Sequence, residues 1–193
     1  AMLCKVQAPR LPFVTWQFDK ILEKDDYVGD PVSEAAITGA ALVRHLDDVR
    51  FASLRALRQL LRALGAERIA IGSIAPDRET LREGLVWVSG FGRCGESERV
   101  LSCAAFVDEI REWLASGDEA LSIGIDVRSP AWHELPCDQL LLVRATRPAQ
   151  GEPCMVLAAQ LRGGFRLPDG AAHAISMLVG EYARRQATPA AAP

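Results

Sequence analysis

The sequence has no apolar run approaching the roughly 18 consecutive residues that a membrane-spanning helix needs. Nor does it open on a secretory signal, because Trp16 to Asp26 carries charges where an apolar core would stand. Cysteine is not used for stapling. The five, Cys4, Cys94, Cys103, Cys137 and Cys154, are odd in number and include no C-x-x-C pair. That argues against a disulfide framework or a structural zinc site and makes a reducing cytoplasm the expected setting. There is no surplus of positive charge: 22 basic against 25 acidic residues leave −3, so neither nucleic acid nor a membrane surface is an expected partner. Catalytic signatures are missing too. There is no G-x-S-x-G elbow, and His45, His133 and His173 are the only histidines.

What is present suits one folded unit. A chain of 193 residues with 49% hydrophobic and 24% charged side chains is long enough to bury a core without staples. Ala1 before Met2 reads as a tag remnant. Residues 1–32 are broken by Pro9, Pro12, Gly29 and Pro31 and form an N-terminal arm, whose Phe13, Trp16 and Phe18 need something to pack on. Ser33 is a candidate N-cap for a helical region that runs to Leu64 and stops at Gly65. Its apolar spacing slips between Val49 and Leu54, so either the stripe turns or two helices meet near residues 50–53. Arg55, Arg58 and Arg62 make a basic stripe, read as a contact surface or simply as a solvated face.

Beyond Gly65 the period becomes 2. Strands are expected at Arg68–Ile74, Leu85–Phe91 and Leu121–Val127, with a helix over Glu96–Ala115 stopped by Gly117. Leu140–Val143 and Cys154–Ala159 flank a polar turn, and their two-sided apolar character predicts central strands. A helix from about Gly170 to Arg185 follows, then a linker-like tail, 187–193. The expected fold is α/β (α+β), a mainly antiparallel sheet of five or six strands with helices on both faces.

Gly90-Phe91-Gly92-Arg93-Cys94-Gly95 matches G-x-G-x-x-G after a strand. Glu96 and Glu98 set negative charge where a helix N-terminus would receive a pyrophosphate. No acidic residue ends a following strand about twenty residues on, and no second β-α-β unit follows. Tight turning is the plainer role of these glycines. Cys94 and Cys103 bracket the expected helix start, where a dipole lowers a thiol pKa, but small buried thiols are the commoner outcome. His133 lies in a proline-bounded loop, a position suited to a site residue and equally to a half-exposed histidine.

The order of elements over residues 55–185 resembles the GAF family of small-molecule sensor domains. The likeness is carried by the closing hairpin, by Phe165-Arg166-Leu167-Pro168-Asp169 before the last helix, and by Ala63-Leu64-Gly65-Ala66-Glu67 before the first strand. The resemblance implies a domain over 33–186, with a pocket closed by the segment between the second strand and the closing hairpin. Carried over by position, Trp87, Phe91, Arg93, Trp113, Asp126, Arg128, Trp132 and His133 become candidate ligand-binding residues. It also implies pairing of the long helices in a homodimer. The chain departs from the specialised members: it lacks the N-K-x-F…D-E pattern of cyclic-nucleotide binders, a Cys-His pair for bilin attachment, and the cysteine signature of the methionine sulfoxide reductases. No cofactor is therefore assigned. The expectation is a non-enzymatic cytoplasmic sensory domain that controls a C-terminal output domain, such as a cyclase, a kinase or a helix-turn-helix. A ligand-free interaction module and a redox enzyme using Cys94, Cys103 or Cys137 are the rivals. A greasy cavity around Trp87 and Trp113 would point to a variant of the main reading, the autoinducer-binding domain of quorum-sensing regulators.

Overall fold

The computed structural model describes residues 30–90, 94–125, 138–145 and 152–187. Helix α1, Pro31–His45, is capped by Asp30 rather than by Ser33, which sits buried in the first turn. The reason is Pro31: its fixed φ and missing N–H suit the first helical position, so the cap falls on the residue before it, three earlier than Ser33. The Asp30 carboxylate accepts the N–H groups of Val32 at 2.9 Å and Ser33 at 2.8 Å. Burial raises its pKa, but those hydrogen bonds outweigh it and hold the carboxyl below its usual value. A depressed carboxylate stabilises the fold above its unfolded pKa, near 3.9, and the contribution disappears as pH falls through the folded value. Asp30→Ala is expected to cost about 1 kcal/mol at neutral pH. Urea denaturation of both proteins checks this, and the gap between them should close in acid.

Helix α2, Val49–Leu64, starts on Asp48, whose side chain accepts the Phe51 N–H at 2.9 Å, and ends on the left-handed Gly65 at φ 63°. Two helices do meet, but at residues 46–48, because Leu46 turns to an extended conformation there and Asp48 restarts the helix.

The strands are β1 Arg68–Ile74, β2 Thr80–Val88, β3 Cys94–Glu96, β4 Val100–Ser102, β5 Ala120–Gly124, β6 Gln139–Arg144 and β7 Cys154–Leu161. They form one antiparallel sheet in the order β3-β2-β1-β7-β6-β5, with β4 on a separate stretch of β2. β6 and β7 are central, as their two-sided apolar character predicts. The expected helix over 96–115 is shorter. Only α3, Val107–Ala115, is α-helical, behind a 3₁₀ turn at Ala104–Phe106. Residues 94–102 instead satisfy the open edge of β2, where Leu85 faces Glu96 and Leu81 faces Leu101. The chain closes with α4, Ala171–Ala187.

Helices α2 and α4 pack on one face of the sheet, and α1 lies against both. The close approach of α1 rests on Gly39, where an added Cβ would stand 2.8 Å from the Ala56 Cβ. Helix α3 serves the other face, bringing Phe106, Ile110 and Trp113 onto Ile74, Leu81, Leu142 and Val156.

Candidate functional site

Strand β2 has one residue too many for β1. Ile71 faces Leu85 while Gly72 faces Glu83, so Gly84 is the extra residue of a β-bulge. The bulge inverts which face each residue serves. Leu85 and Trp87 join the core under α2 and α4, whereas Leu81 joins the α3 side, and Glu83, two residues on, shares that side. This places a buried carboxylate on a face that alternation along an unbroken strand would have denied it.

The α3 face changes character along its length. At one end Ile74 stands opposite Cys154 and packs with Leu81 and the α3 residues. Along β1 and β7 the middle of this face is smaller: Ala70 stands opposite Ala158 and Gly72 opposite Val156, with Leu142 across from Ala158 on β6, all buried. Beyond them polar residues join the floor on β1 and β7, with the buried Leu140 opposite Gln160 on β6. Arg68 faces Gln160, and residues opposite one another share a face. The Arg68 guanidinium donates from Nε to Glu83 Oε1 at 2.9 Å and from Nη2 to Oε2 at 2.5 Å, and Ser97 Oγ donates to Oε2 at 2.8 Å. Glu83 is 3% exposed, so this bidentate pair keeps a charge buried but compensated.

Phe91, Arg93, Asp126, Arg128, Trp132 and His133 lie outside the described residues. The residues that flank them are placed, however. Cys94 pairs with Trp87, and Gly124 pairs with Gln139, which faces Leu161. Both described flanks, Cys94 and Gly124, therefore lie at the end of the sheet that carries Arg68 and Gln160. The two tryptophans of the expected set are not brought together. Trp87 is half-buried on the helix face, with the Arg58 guanidinium 5.6 Å from its ring centre. Trp113 is buried on the other face, with Arg144 at 5.5 Å. The sheet separates them, so no single greasy cavity encloses both.

Two of the cysteines are unsuited to redox work. Burial pushes the Cys103 thiol up to about 12, with Asp77 adding to the effect. Burial likewise raises Cys154 to about 11, although Arg144 and Arg78 pull the other way. Both are protonated at neutral pH and are poor nucleophiles. Cys94 sits in β3 rather than at a helix start, so no dipole acts on it. The same fact removes the phosphate reading of the glycine run, because a strand follows it. Among the described residues no group of His, Cys, Asp and Glu is gathered to hold a metal.

Sequence reasoning missed Arg68, Glu83, Gln160 and Arg144. Arg144, 4% exposed, donates to the carbonyls of Leu114 at 3.1 Å and Ser116 at 2.9 Å, closing the C-terminus of α3. A lone arginine ending Leu140-Leu141-Leu142-Val143 was the available sign.

No family model matches the sequence, and no curated protein matches it either. Solved structures do match. The phycocyanobilin-bound GAF domain of a cyanobacterial phytochrome superposes with a TM-score of 0.58 at 12% identity, over 83% of this chain and 96% of that one. The chain has a GAF fold. The GAF domain of a phosphoenolpyruvate-protein phosphotransferase from Coxiella burnetii gives 0.53 at 13% identity, over 81% and 95%. The chromophore-binding domain of Stigmatella aurantiaca phytochrome P1 gives 0.55 at 10% identity, with 86% of this chain on 62% of that one. At such identities the GAF likeness is one of backbone. The expectation of a sheet with helices on both faces is met, with seven strands in place of five or six. Among the described residues, no helix is long and apolar enough to cross a membrane.

Proposed function

We propose that this GAF domain is a non-enzymatic sensor that holds a small ligand over the α3 face of its sheet and passes the binding event to a following output domain through α4. The observation that carries the reading is the buried floor of Ala70, Gly72 and Ala158, ending in the Arg68–Glu83 pair and Gln160. On β1 and β7 the helix face carries Ile69, Ile71, Leu157, Ala159 and Leu161, whereas the middle of the α3 face carries the smaller Ala70, Gly72, Val156 and Ala158. Small residues leave depth, and a few compensated polar groups at one end give orientation, which is the usual anatomy of a ligand site. The candidate ligand residues at 91, 93, 126, 128, 132 and 133 belong to this proposal, since their described flanks, Cys94 and Gly124, lie at the polar end of the sheet. Of the two tryptophans, Trp113 packs on the α3 side, whereas Trp87 lies on the helix face, across the sheet from this site. Bilins are bound by neighbours of the same fold; the lack of a Cys-His pair here favours a non-covalent guest.

A sensor of this kind shifts between two packings of its helices. Ile37 on α1 is 53% exposed and Phe51 on α2 is 57% exposed, which supports pairing of two copies through the helix layer. The same exposure favours the second reading, a ligand-free dimerisation module. Native mass spectrometry of protein purified from cells separates them. The expected result is twice the chain mass plus a small molecule, with the small molecule lost in Ala158→Phe. A dimer without added mass in either protein would select the second reading, and a bare monomer would overturn both.

A further inference from the structure

Beside α4, at the far end of the sheet from the polar floor, a groove of about 720 Å³ runs between α4 and the turn that joins α3 to β5. That volume is of ligand size. Arg44, Arg144 and Arg184 line it together with Glu119 and Glu181, so the charged lining carries one positive charge in excess before His173 is counted. One wall is apolar, formed by Ala145, Met177, Gly180 and Ala183. We propose that this groove is a second ligand site, for a small organic anion whose acid group meets the arginines and whose apolar body lies along Met177 and Gly180.

The charges are arranged for such a guest. Glu181 is 3% exposed and sits at the base. Arg44 Nε reaches its Oε1 at 2.8 Å and Arg184 Nη2 reaches the same oxygen at 2.7 Å. The two arginine side chains are themselves 51% and 70% exposed, so they form the rim. Burial raises the Glu181 pKa, but the two guanidiniums outweigh it and keep the carboxylate ionised. Arg144 closes the depth of the groove, where it is 4% exposed. An entering acid group therefore meets two solvent-reachable guanidiniums that converge on a single carboxylate oxygen, and competes with Glu181 for them. Because Arg44 belongs to α1 and Glu181 to α4, occupancy weakens a tie between those helices. The site would thus report on α4 independently of the α3 face.

The glycine at 180 makes the groove testable. An added Cβ there meets nothing among the described residues within 4 Å, and replacing glycine inside a helix favours folding. Gly180→Leu fills the groove while leaving every charge in place. Phenyl phosphate is the probe, with phenol and inorganic phosphate as controls, and binding is read by thermal shift and by NMR titration. Phenyl phosphate should bind saturably; phenol should bind at least about tenfold more weakly, since one charge-assisted contact is worth about that factor, and inorganic phosphate likewise, since burying the ring is worth about the same factor or more. Gly180→Leu should lose the binding without a lower melting temperature. The double variant Arg44→Gln, Arg184→Gln should bring phenyl phosphate down to the level of phenol. Unchanged affinity in Gly180→Leu, no saturable binding in the native protein, or equal binding of phenol and phenyl phosphate would each overturn the proposal. If Gly180→Leu melts early, the double arginine variant decides alone.

Discussion

Gly72→Ala is expected to destabilise the protein by about 3 kcal/mol or more, an overpacking cost at the upper end of the usual range. A Cβ at Gly72 would lie 2.3 Å from the Arg82 carbonyl oxygen and 3.1 Å from both the Arg82 carbonyl carbon and the Glu83 Cα. All three atoms are backbone, so no rotamer change relieves the clash. Gly72 has no positive φ, which means that space, and not conformational freedom, demands glycine here. For a domain of this length each kcal/mol moves the melting temperature by about 2–4 °C, so a drop of roughly 6–12 °C is expected. Gly124→Ala on β5 is the control, because nothing among the described residues lies within 4 Å of its added Cβ; its effect should stay within about 0.5 kcal/mol. Thermal denaturation of the two variants side by side checks both values. A Gly72→Ala protein that melts within a degree or two of the native one would mean that β1 and β2 do not approach this closely at the bulge. The prediction reaches the site as well, since that bulge turns Glu83 toward the floor.

The closing strands were legible in the sequence because β6 and β7 are buried on both faces and so lose the polar alternation of a surface strand. The final helix was legible for a different reason: Ile175, Leu178, Val179 and Tyr182 recur at helical spacing. Strands β3 and β4 were not, because three residues with one buried side chain, as in Val100–Ser102, do not make a period. The residues of the α3 face were hidden by register. Glu83 and Arg68 look like solvent-facing members of their strands, and only the unpaired Gly84 reveals that they face each other in the interior. Trp87 and Trp113 stood out by size, yet an aromatic names no face of a sheet until the register is known.

The Arg68–Glu83 pair carries the largest single-residue charge effect. Removing one partner of a buried pair leaves the other charge uncompensated and costs about 3–5 kcal/mol. Arg68 keeps 13% of its side chain exposed against 2% for Glu83, so water can reach the arginine more readily, and the lower end, about 3 kcal/mol, is expected for Glu83→Leu. Ser97 adds to that cost because its hydroxyl loses the Oε2 acceptor. The exposed pair between Arg162 and Glu67 at 3.0 Å gives the contrast, with 74% of the arginine side chain in solvent; Glu67→Gln should cost less than about 1 kcal/mol. The double variant Arg68→Met, Glu83→Leu removes both charges and should recover most of the loss, since apolar replacements of a buried pair are often neutral or stabilising. Urea denaturation of the single and double variants measures the coupling. If Glu83→Leu is no more harmful than Glu67→Gln, the pair is not buried as described. If the double variant matches the native protein in stability but no longer retains a small molecule, then the pair is kept on the floor for the ligand and not for the fold.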